Sequence, residues 1–545
     1  MTTTTPDVTV VVAVYNTMPY LTECLNSLVG QTIGLERLEV VAVDDGSTDD
    51  SGAELDRFAK EYPDTVRVIH QENSGGPAAP SNRALEIATG RFVYFVGSDD
   101  YLGEEALERM VAYADEHGSD VVVGKMVGTN GRYVRQAMYK KNDSDVSLYG
   151  SDLPFALANT KLFRRELVEK YKLRFPEDLP VGSDQPFTIE ACVRAERIAV
   201  LGDYTYYYAV KRGDASNITY RADHLARLHC TTRIMRHTAG LIEAGPRRDA
   251  VFKRHFTWEL AKLIQDDFLP LDPVTQRELC AGIAELADEY LTDELRDSLD
   301  VKRRVRILLA QRGAVAELSK AIADEAEHGA PPFLLEAGRA FAAYPGLRDP
   351  AGQLPDRSYE LVGEAVPGRL AAGTRLLSAG WERHGDTLFA VFTVRIGVSG
   401  QTDSAVIRLA RTAMPKSADR AAARRLPAGD ELPDPVGEFT RVPEPDGGGG
   451  TVLTARIPLA AARIKAGVRV YVDVAGSTYE IPVRTRGLPM PLARRWGDTV
   501  PHRASANVNP KGRLVITTAP LWEPTASFRA RVRSLLPRFK RKVIR

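Results

Sequence analysis

Several familiar signposts are missing from this sequence. Only four cysteines occur in 545 residues, Cys24, Cys192, Cys230 and Cys280, far apart and with no Cys-x-x-Cys pair. That spacing argues against a disulfide frame or a zinc knuckle and fits a reducing compartment. No apolar run approaches the roughly 20 residues that a spanning helix needs. The start, Met1 to Asp7, has neither a basic stretch nor an apolar core, so no signal peptide is expected. Charge of one sign is also missing, with Lys plus Arg and Asp plus Glu both at 72. No global field therefore invites nucleic acid, and any electrostatic partner must be met locally. A cytoplasmic protein is expected, with membrane contact only from outside the bilayer.

What is present is ordinary globular material, 44% hydrophobic and 26% charged, long enough for about three domains. One stretch organises the rest. Residues Phe92-Val93-Tyr94-Phe95-Val96 read as a strand buried on both faces, which empties into Gly97-Ser98-Asp99-Asp100. In open α/β sheets ligands bind beyond the C-terminal ends of strands, so two acids at such a tip are either functional or the cap of the following helix, expected from Glu104 to Glu116.

Three similar units precede it. Val8 to Val14 is a β-branched run leading through Tyr15-Asn16 into a helix with Leu21, Leu25 and Leu28. Leu38 to Val43 ends in Asp44-Asp45-Gly46-Ser47 and a helix with Leu55 and Phe58. Val66 to His70 precedes a loop from Asn73 to Asn82. Strands alternating with helices specify an α/β fold with a mostly parallel sheet. Its functional edge should collect Ala13 to Asn16, Asp44-Asp45, Asn73 to Asn82 and Gly97 to Asp100, as in a nucleotide pocket. Asp120 to Met126 and Leu201 to Val210 read as further strands, the second leading to Lys211-Arg212, which is either solvated surface or a diphosphate clamp. Asp184 opens a helix and is either a cap or a catalytic acid.

Residues from about 221 to 345 carry helical periodicity. From about 366 short alternating runs such as Thr387 to Val394 and Val468 to Val474 predict an antiparallel β-sandwich, with Gly447 to Gly450 at a hairpin tip. The tail, Phe528 to Arg545, mixes basic and apolar residues as a frayed terminus or as an anchor to anionic lipid would. The expected domains are 1–217, 218–350, 351–490 and 491–545, the last a β extension with the basic tail.

Taken together, Val12 to Asn16, Val43 to Asp49, Gly97 to Asp100 and Ser183-Asp184-Gln185 make the first 217 residues resemble a family 2 glycosyltransferase of the GT-A fold. With Asn73 to Pro77 and Tyr206 to Arg212, the chain is similar to the poly(ribitol phosphate) N-acetylglucosaminyltransferases that decorate wall teichoic acid. The resemblance implies a UDP-sugar donor, a cell-envelope polyol phosphate acceptor and a divalent metal, Mn²⁺ or Mg²⁺. It implies Asp99 as metal ligand and Asp184 as catalytic base. Ala13, Tyr15, Asp44, Asn73, Ser81, Gly97, Ser98, Arg212 and Ser216 would surround the donor, and the β-rich region would form a homotrimer. Three positions depart from the family pattern: Gly97 replaces the first acid of the DxD element, Ser81 replaces an Arg, and Ser183 replaces a Glu. Each removes a charge, so a catalytically weakened scaffold is one competing reading. A sugar nucleotidyltransferase is another, although Ala13 to Asn16 lacks the Gly-rich basic loop that class would show.

Overall fold

The structure, a computed structural model, describes residues 5–213, 223–361, 365–411, 424–427, 437–443, 450–459, 463–474, 476–485, 493–495 and 502–520. Ser216, the hairpin tip at 447–449 and the basic tail lie outside the described residues. Two compact units divide the chain, Met1–Leu299 with Leu309–Val315, and Asp300–Leu308 with Ala316–Arg545.

In the first unit the elements run β1 (Val8–Val14), α1 (Tyr20–Val29), β2 (Leu38–Asp44), α2 (Ser51–Glu61), β3 (Val66–His70), α3 (Ala78–Ile87), β4 (Phe92–Gly97), β5 (Tyr101–Leu102), α4 (Ala106–His117), β6 (Val121–Gly124), β7 (Met126–Thr129), β8 (Leu162–Arg164), α5 (Arg165–Lys170), α6 (Asp184–Arg194), β9 (Ile198–Leu201) and β10 (Tyr207–Val210). Seven strands form one sheet in the order β3-β2-β1-β4-β8-β6-β9. All neighbours pair in parallel except β8, which is antiparallel to both β4 and β6.

The continuous apolar runs are explained by burial on both faces. Val10, Val12, Val40, Tyr94 and Val96 pack on one side with Leu25, Phe58 and Met110. Val11, Val41, Val43, Val93 and Phe95 pack on the other with Leu85, Phe187 and Ile189. Each such fully buried side chain contributes about 1.5–3 kcal/mol.

Two expected strands are broken. The aromatic run from Leu201 to Val210 ends β9 at Leu201 and resumes as β10 in a separate three-stranded sheet, β5-β10-β7. Gly202 lies at the break, where a Cβ would stand 2.5 Å from the Tyr139 carbonyl oxygen, so only glycine fits this close approach. The run from Asp120 to Met126 likewise divides at Lys125, whose amide bonds to Leu201 and whose carbonyl accepts from Tyr206. The helix after the paired acids starts at Ala106, with Glu105 in the cap position, so neither Asp99 nor Asp100 caps it.

Helices follow: α7 (His224–Leu241), α8 (Pro246–Arg254), α9 (Leu260–Lys262), α10 (Pro273–Tyr290), α11 (Asp293–Ser298), α12 (Val301–Gln311) and α13 (Val315–His328). Asp272 caps α10 through the amides of Val274 and Thr275, with Pro273 at the first helical position. The helical stretch stops at His328 rather than near 345, because Gly329 turns left-handed at φ 79° and Pro331-Pro332 cannot continue it.

Strands β11 (Phe333–Glu336) and β12 (Arg339–Ala342) come next, then α14 (Ala365–Gly373), β13 (Arg375–His384), β14 (Thr387–Ile396), β15 (Val398–Gly400), β16 (Val406–Ala410), β17 (Arg424–Arg425), β18 (Glu438–Pro443), β19 (Thr451–Pro458), β20 (Ile464–Val474), β21 (Ser477–Pro482), β22 (Ala493–Arg495), β23 (His502–Val508) and β24 (Leu514–Pro520). Two antiparallel sheets dominate, β13-β14-β19-β18 and β17-β21-β20-β24-β23-β22, with β16 paired to β20. Strict alternation in β14 buries Leu388, Ala390, Phe392, Val394 and Ile396. Among the described residues no helix is long and apolar enough to cross a membrane.

Candidate active site

Parallel register brings three strand ends together. Ala13 lies opposite Val43 on one side and Gly97 on the other, and Val14 lies opposite Asp44. Asn16, left-handed at φ 48°, then joins the loops after β1 and β2 by accepting from the amides of Thr48 and Asp49 at 2.7 and 3.2 Å. Tyr15 projects from this junction, 43% exposed. Ser98 is buried and shares a hydrogen bond of 2.9 Å with Thr17.

Asp44 is buried but well satisfied. Its Oδ1 accepts from the Ser47 amide at 3.0 Å, and Oδ2 meets His70 Nδ1 at 3.0 Å. Burial opposes ionisation, yet these bonds hold its carboxyl below the usual range. His70, paired also with Asp56, is raised above an ordinary histidine.

The neighbouring Asp45, which the sequence reading left without a role, builds the next loop. It accepts from Gln71 Nε2 at 2.7 Å, from the Ser74 amide at 3.1 Å and from Ser74 Oγ at 3.0 Å. Asn73 directs its Nδ2 to the Asp45 carbonyl at 2.9 Å, and its Oδ1 accepts from Gly75. A pocket of 210 Å³ opens between this loop and residues 177–180. Ser81 is buried in α3, where its hydroxyl donates to the Pro77 carbonyl at 2.6 Å.

At the tip of β4 the two acids have different tasks. Asp99 Oδ2 accepts from Arg212 Nε at 2.7 Å, with both side chains about 15% exposed. Asp100 is buried, accepting from the Tyr207 hydroxyl at 2.6 Å and from the Val210 amide at 2.7 Å. Burial and the Asp99 charge raise its carboxyl above the usual range. Tyr207 in turn accepts from the Gly97 amide at 3.1 Å. Asp100 is thus a strut that fixes β10, and with it Arg212, beside Asp99.

Asp184 opens α6, a helix packed on one face of the same sheet. Phe187, one turn later, packs edge-on against Phe95 of β4 with centroids 5.4 Å apart. Ser183, not Asp184, occupies the cap position, with no side-chain bond. Burial raises the Asp184 carboxyl above its usual range, against the pull of Arg254 and Lys161. Lys161 is itself buried, donates to the Ala156 carbonyl at 2.6 Å and is pulled down to about 8. Arg254 bonds Gln185 at 2.8 Å and Glu259 at 2.6 Å, at the entry to a π-helical turn, His255–Glu259.

The structure therefore brings Ala13, Asp44, Gly97, Ser98, Asp99 and Arg212 to one edge of the sheet, with Tyr15 and Asn73 on the adjoining loops, while Asp184 is surrounded by Arg254, Lys161 and Glu259. Asp45, Asp100 and Tyr207 lay in stretches that the sequence singled out but had no role assigned, and Lys161 and Arg254 were missed. For the first two, adjacency to a named acid was a usable signal; Lys161 and Arg254 had none. Among the described residues no group of three or more His, Cys, Asp or Glu is placed to hold a metal ion. Asp99 carries a hard carboxylate at the strand tip, which accepts from Arg212 in this structure. That fits a Mg²⁺- or Mn²⁺-type site completed by water and substrate phosphate rather than an all-protein cage.

The family description "Glycosyl transferase family 2" matches residues 9–172. The N-terminal domain belongs to glycosyltransferase family 2. Behind this glycosyltransferase domain, "Glycosyl transferase TarS linker domain" matches residues 230–322. The chain is similar to a poly(ribitol-phosphate) beta-glucosyltransferase of Bacillus spizizenii, 42% identical over 214 residues, which is 39% of this chain and 34% of that protein. It is also similar to the poly(ribitol-phosphate) beta-N-acetylglucosaminyltransferase TarS of Staphylococcus aureus, 44% identical over 203 residues, 37% of this chain and 35% of that one. The chain spans about a third of the length of these curated relatives. A crystal structure of S. aureus TarS 1-349 in complex with UDP-GlcNAc superposes with a TM-score of 0.56 at 28% identity, covering 66% of this chain and 99% of that one. A longer S. aureus TarS structure gives 0.59 at 21% identity over 95% and 86%, a likeness of fold.

Proposed function

We propose that the chain is an inverting glycosyltransferase that moves a sugar from a UDP-sugar to a hydroxyl of poly(ribitol phosphate) teichoic acid, with N-acetylglucosamine as the sugar. The observation that supports this reading is the Asp99–Arg212 pair at the end of β4, beside Asp44 at the end of β2, with Asp184 opening a helix packed on the same sheet. The relatives' acceptor and the UDP-GlcNAc bound to the S. aureus structure support the substrate classes.

In this reading Asp44 and the Asn73 loop orient the nucleotide, and Arg212 holds the diphosphate. A divalent ion on Asp99, when bound, neutralises charge on the leaving diphosphate. Asp184 takes the proton of the acceptor hydroxyl as its oxygen bonds to the anomeric carbon from the face opposite the leaving group. The bond from that carbon to the diphosphate oxygen breaks, and UDP departs with inversion. A carboxyl raised by burial is a better base than an ordinary aspartate. A trimer built through the C-terminal strands and peripheral contact with anionic membrane complete the proposal.

The test is UDP release from UDP-GlcNAc and UDP-glucose with poly(ribitol phosphate) as acceptor, with and without Mn²⁺ or Mg²⁺. Turnover with UDP-GlcNAc, abolished in Asp184→Asn, is expected. Silence with every donor would favour a scaffold, and preference for UDP-glucose would reassign the sugar.

A further inference from the structure

The C-terminal unit holds a cleft that no proposed catalytic step uses. It measures 380 Å³, and its lining includes Arg411, Lys465, Arg469, Lys511 and Arg513 but, among the described residues, no carboxylate. In a chain whose charges balance overall, this is a local concentration of one sign.

The strand register explains the cleft. Gly467 of β20 lies opposite Ala410 of β16 on one side and opposite Val515 of β24 on the other. Ala410, Gly467 and Val515 therefore form a row across three strands. Lys465 and Arg469, two residues either side of Gly467, project on its face by strand alternation. A Cβ at Gly467 would come within 3.6 Å of Arg469 Nε, so the missing side chain leaves room beside a guanidinium. Lys511 and Arg513 come from the turn between β23 and β24, which Asn509 organises by accepting from both of their amides at 3.0 Å. On the same face, opposite Tyr471, Glu480 is buried and engaged by Arg424, Arg469 and the Tyr471 hydroxyl. Its charge offsets Arg469 and leaves the rim cationic, while Arg411, Lys465 and Lys511 are exposed.

We propose that this cleft is a second binding site for a linear phosphodiester polyanion, and that its occupant is the polyol phosphate acceptor, held at a point remote in sequence from the hydroxyl being modified. The proposal rests on the acceptor class assigned above. A cleft of one charge sign concentrates a polyanion, and a repeating phosphate presents many equivalent ways to fill it. A second hold on the same polymer raises the effective concentration of acceptor hydroxyls at the catalytic rim.

The experiment uses the full chain with Lys465→Glu and Lys511→Glu together, both exposed positions, alongside the milder Lys465→Gln/Lys511→Gln pair. Fluorescently labelled poly(ribitol phosphate) is titrated by anisotropy at low and moderate salt, without donor. Turnover is measured on long polymer and on a short ribitol phosphate oligomer. The charge-reversed pair should bind polymer on the order of tenfold more weakly, with a shallower salt dependence. It should raise KM for long polymer alone, and the Gln pair should move the same way by less. Unchanged polymer binding in the charge-reversed pair, with melting temperature unchanged, would overturn the proposal, as would tighter binding of single-stranded RNA than of poly(ribitol phosphate). The binding arm is independent of turnover: loss of binding in a chain inactive with every donor would sustain the cleft while removing the catalytic reading.

Discussion

The two large sheets of this protein use charge in opposite ways. At the rim of the N-terminal parallel sheet, carboxylates from separate strands meet, and most are held by designed partners: Asp44 by Ser47 and His70, Asp45 by Ser74, Asp99 by Arg212, Asp100 by Tyr207. On the face of the C-terminal sheet the acid Glu480 is buried with Arg469, and Arg411, Lys465 and Lys511 are exposed around them. A parallel sheet points all its strand ends one way, so distant residues converge at one edge and chemistry can be assembled there. An antiparallel sheet alternates its ends and offers a broad face instead, suited to holding a long ligand. Precise positioning belongs to the first region and multiplicity to the second.

That contrast sets the order of expected effects. The largest is Asp184→Asn, which should lower kcat by about a thousandfold with donor affinity intact, as loss of a general base does; initial rates and UDP titration check it. Asp99→Asn should cost about a hundredfold and flatten the dependence on added Mn²⁺ or Mg²⁺, read by metal titration. Tyr207→Phe, which deprives the buried Asp100 of a donor, should destabilise the first unit by about 1–3 kcal/mol, seen in denaturant unfolding.

A smaller effect concerns pH. Asp184 works only when ionised and is raised in the folded protein, so activity should fall as pH drops through a point above the ordinary aspartate range. Arg254→Gln removes a lowering influence and should move that acid limb to higher pH. The linkage to folding has the opposite sense, since stability present below the unfolded pKa is lost as pH rises through the raised one. The pH–rate profile and melting across the same range separate the two. The smallest effect on kcat should come from charge reversal at Lys465 and Lys511. If their loss crippled turnover on short acceptors, the division of labour between the sheets would fail.

Much of the first region was legible because burial on both faces leaves an uninterrupted signature, as in Val8–Val14 and Phe92–Val96. The acids stood where those runs ended. What escaped was short or distant. Strand β8 has three residues, too few for any period to register, and the buried Lys161 directly precedes it. Arg254 meets Gln185 from 69 positions away. The aromatic run after Leu201 looked like one strand because hydrophobicity does not record where a close approach admits only glycine. In the second region alternation revealed the strands but not their neighbours. The basic cleft depends on Gly467 lying between Ala410 and Val515, a pairing no local pattern encodes.

Gly97 sits in a close-packed acidic corner. A Cβ there would stand 3.0 Å from Asp100 Oδ2, 3.2 Å from Asp99 Oδ1 and 3.3 Å from the Tyr207 hydroxyl. Restoring an acid at this position would crowd a third negative group against two others. The side chains of Asp100, Asp99 and Tyr207 would each have to give by a few tenths of an ångström to admit it.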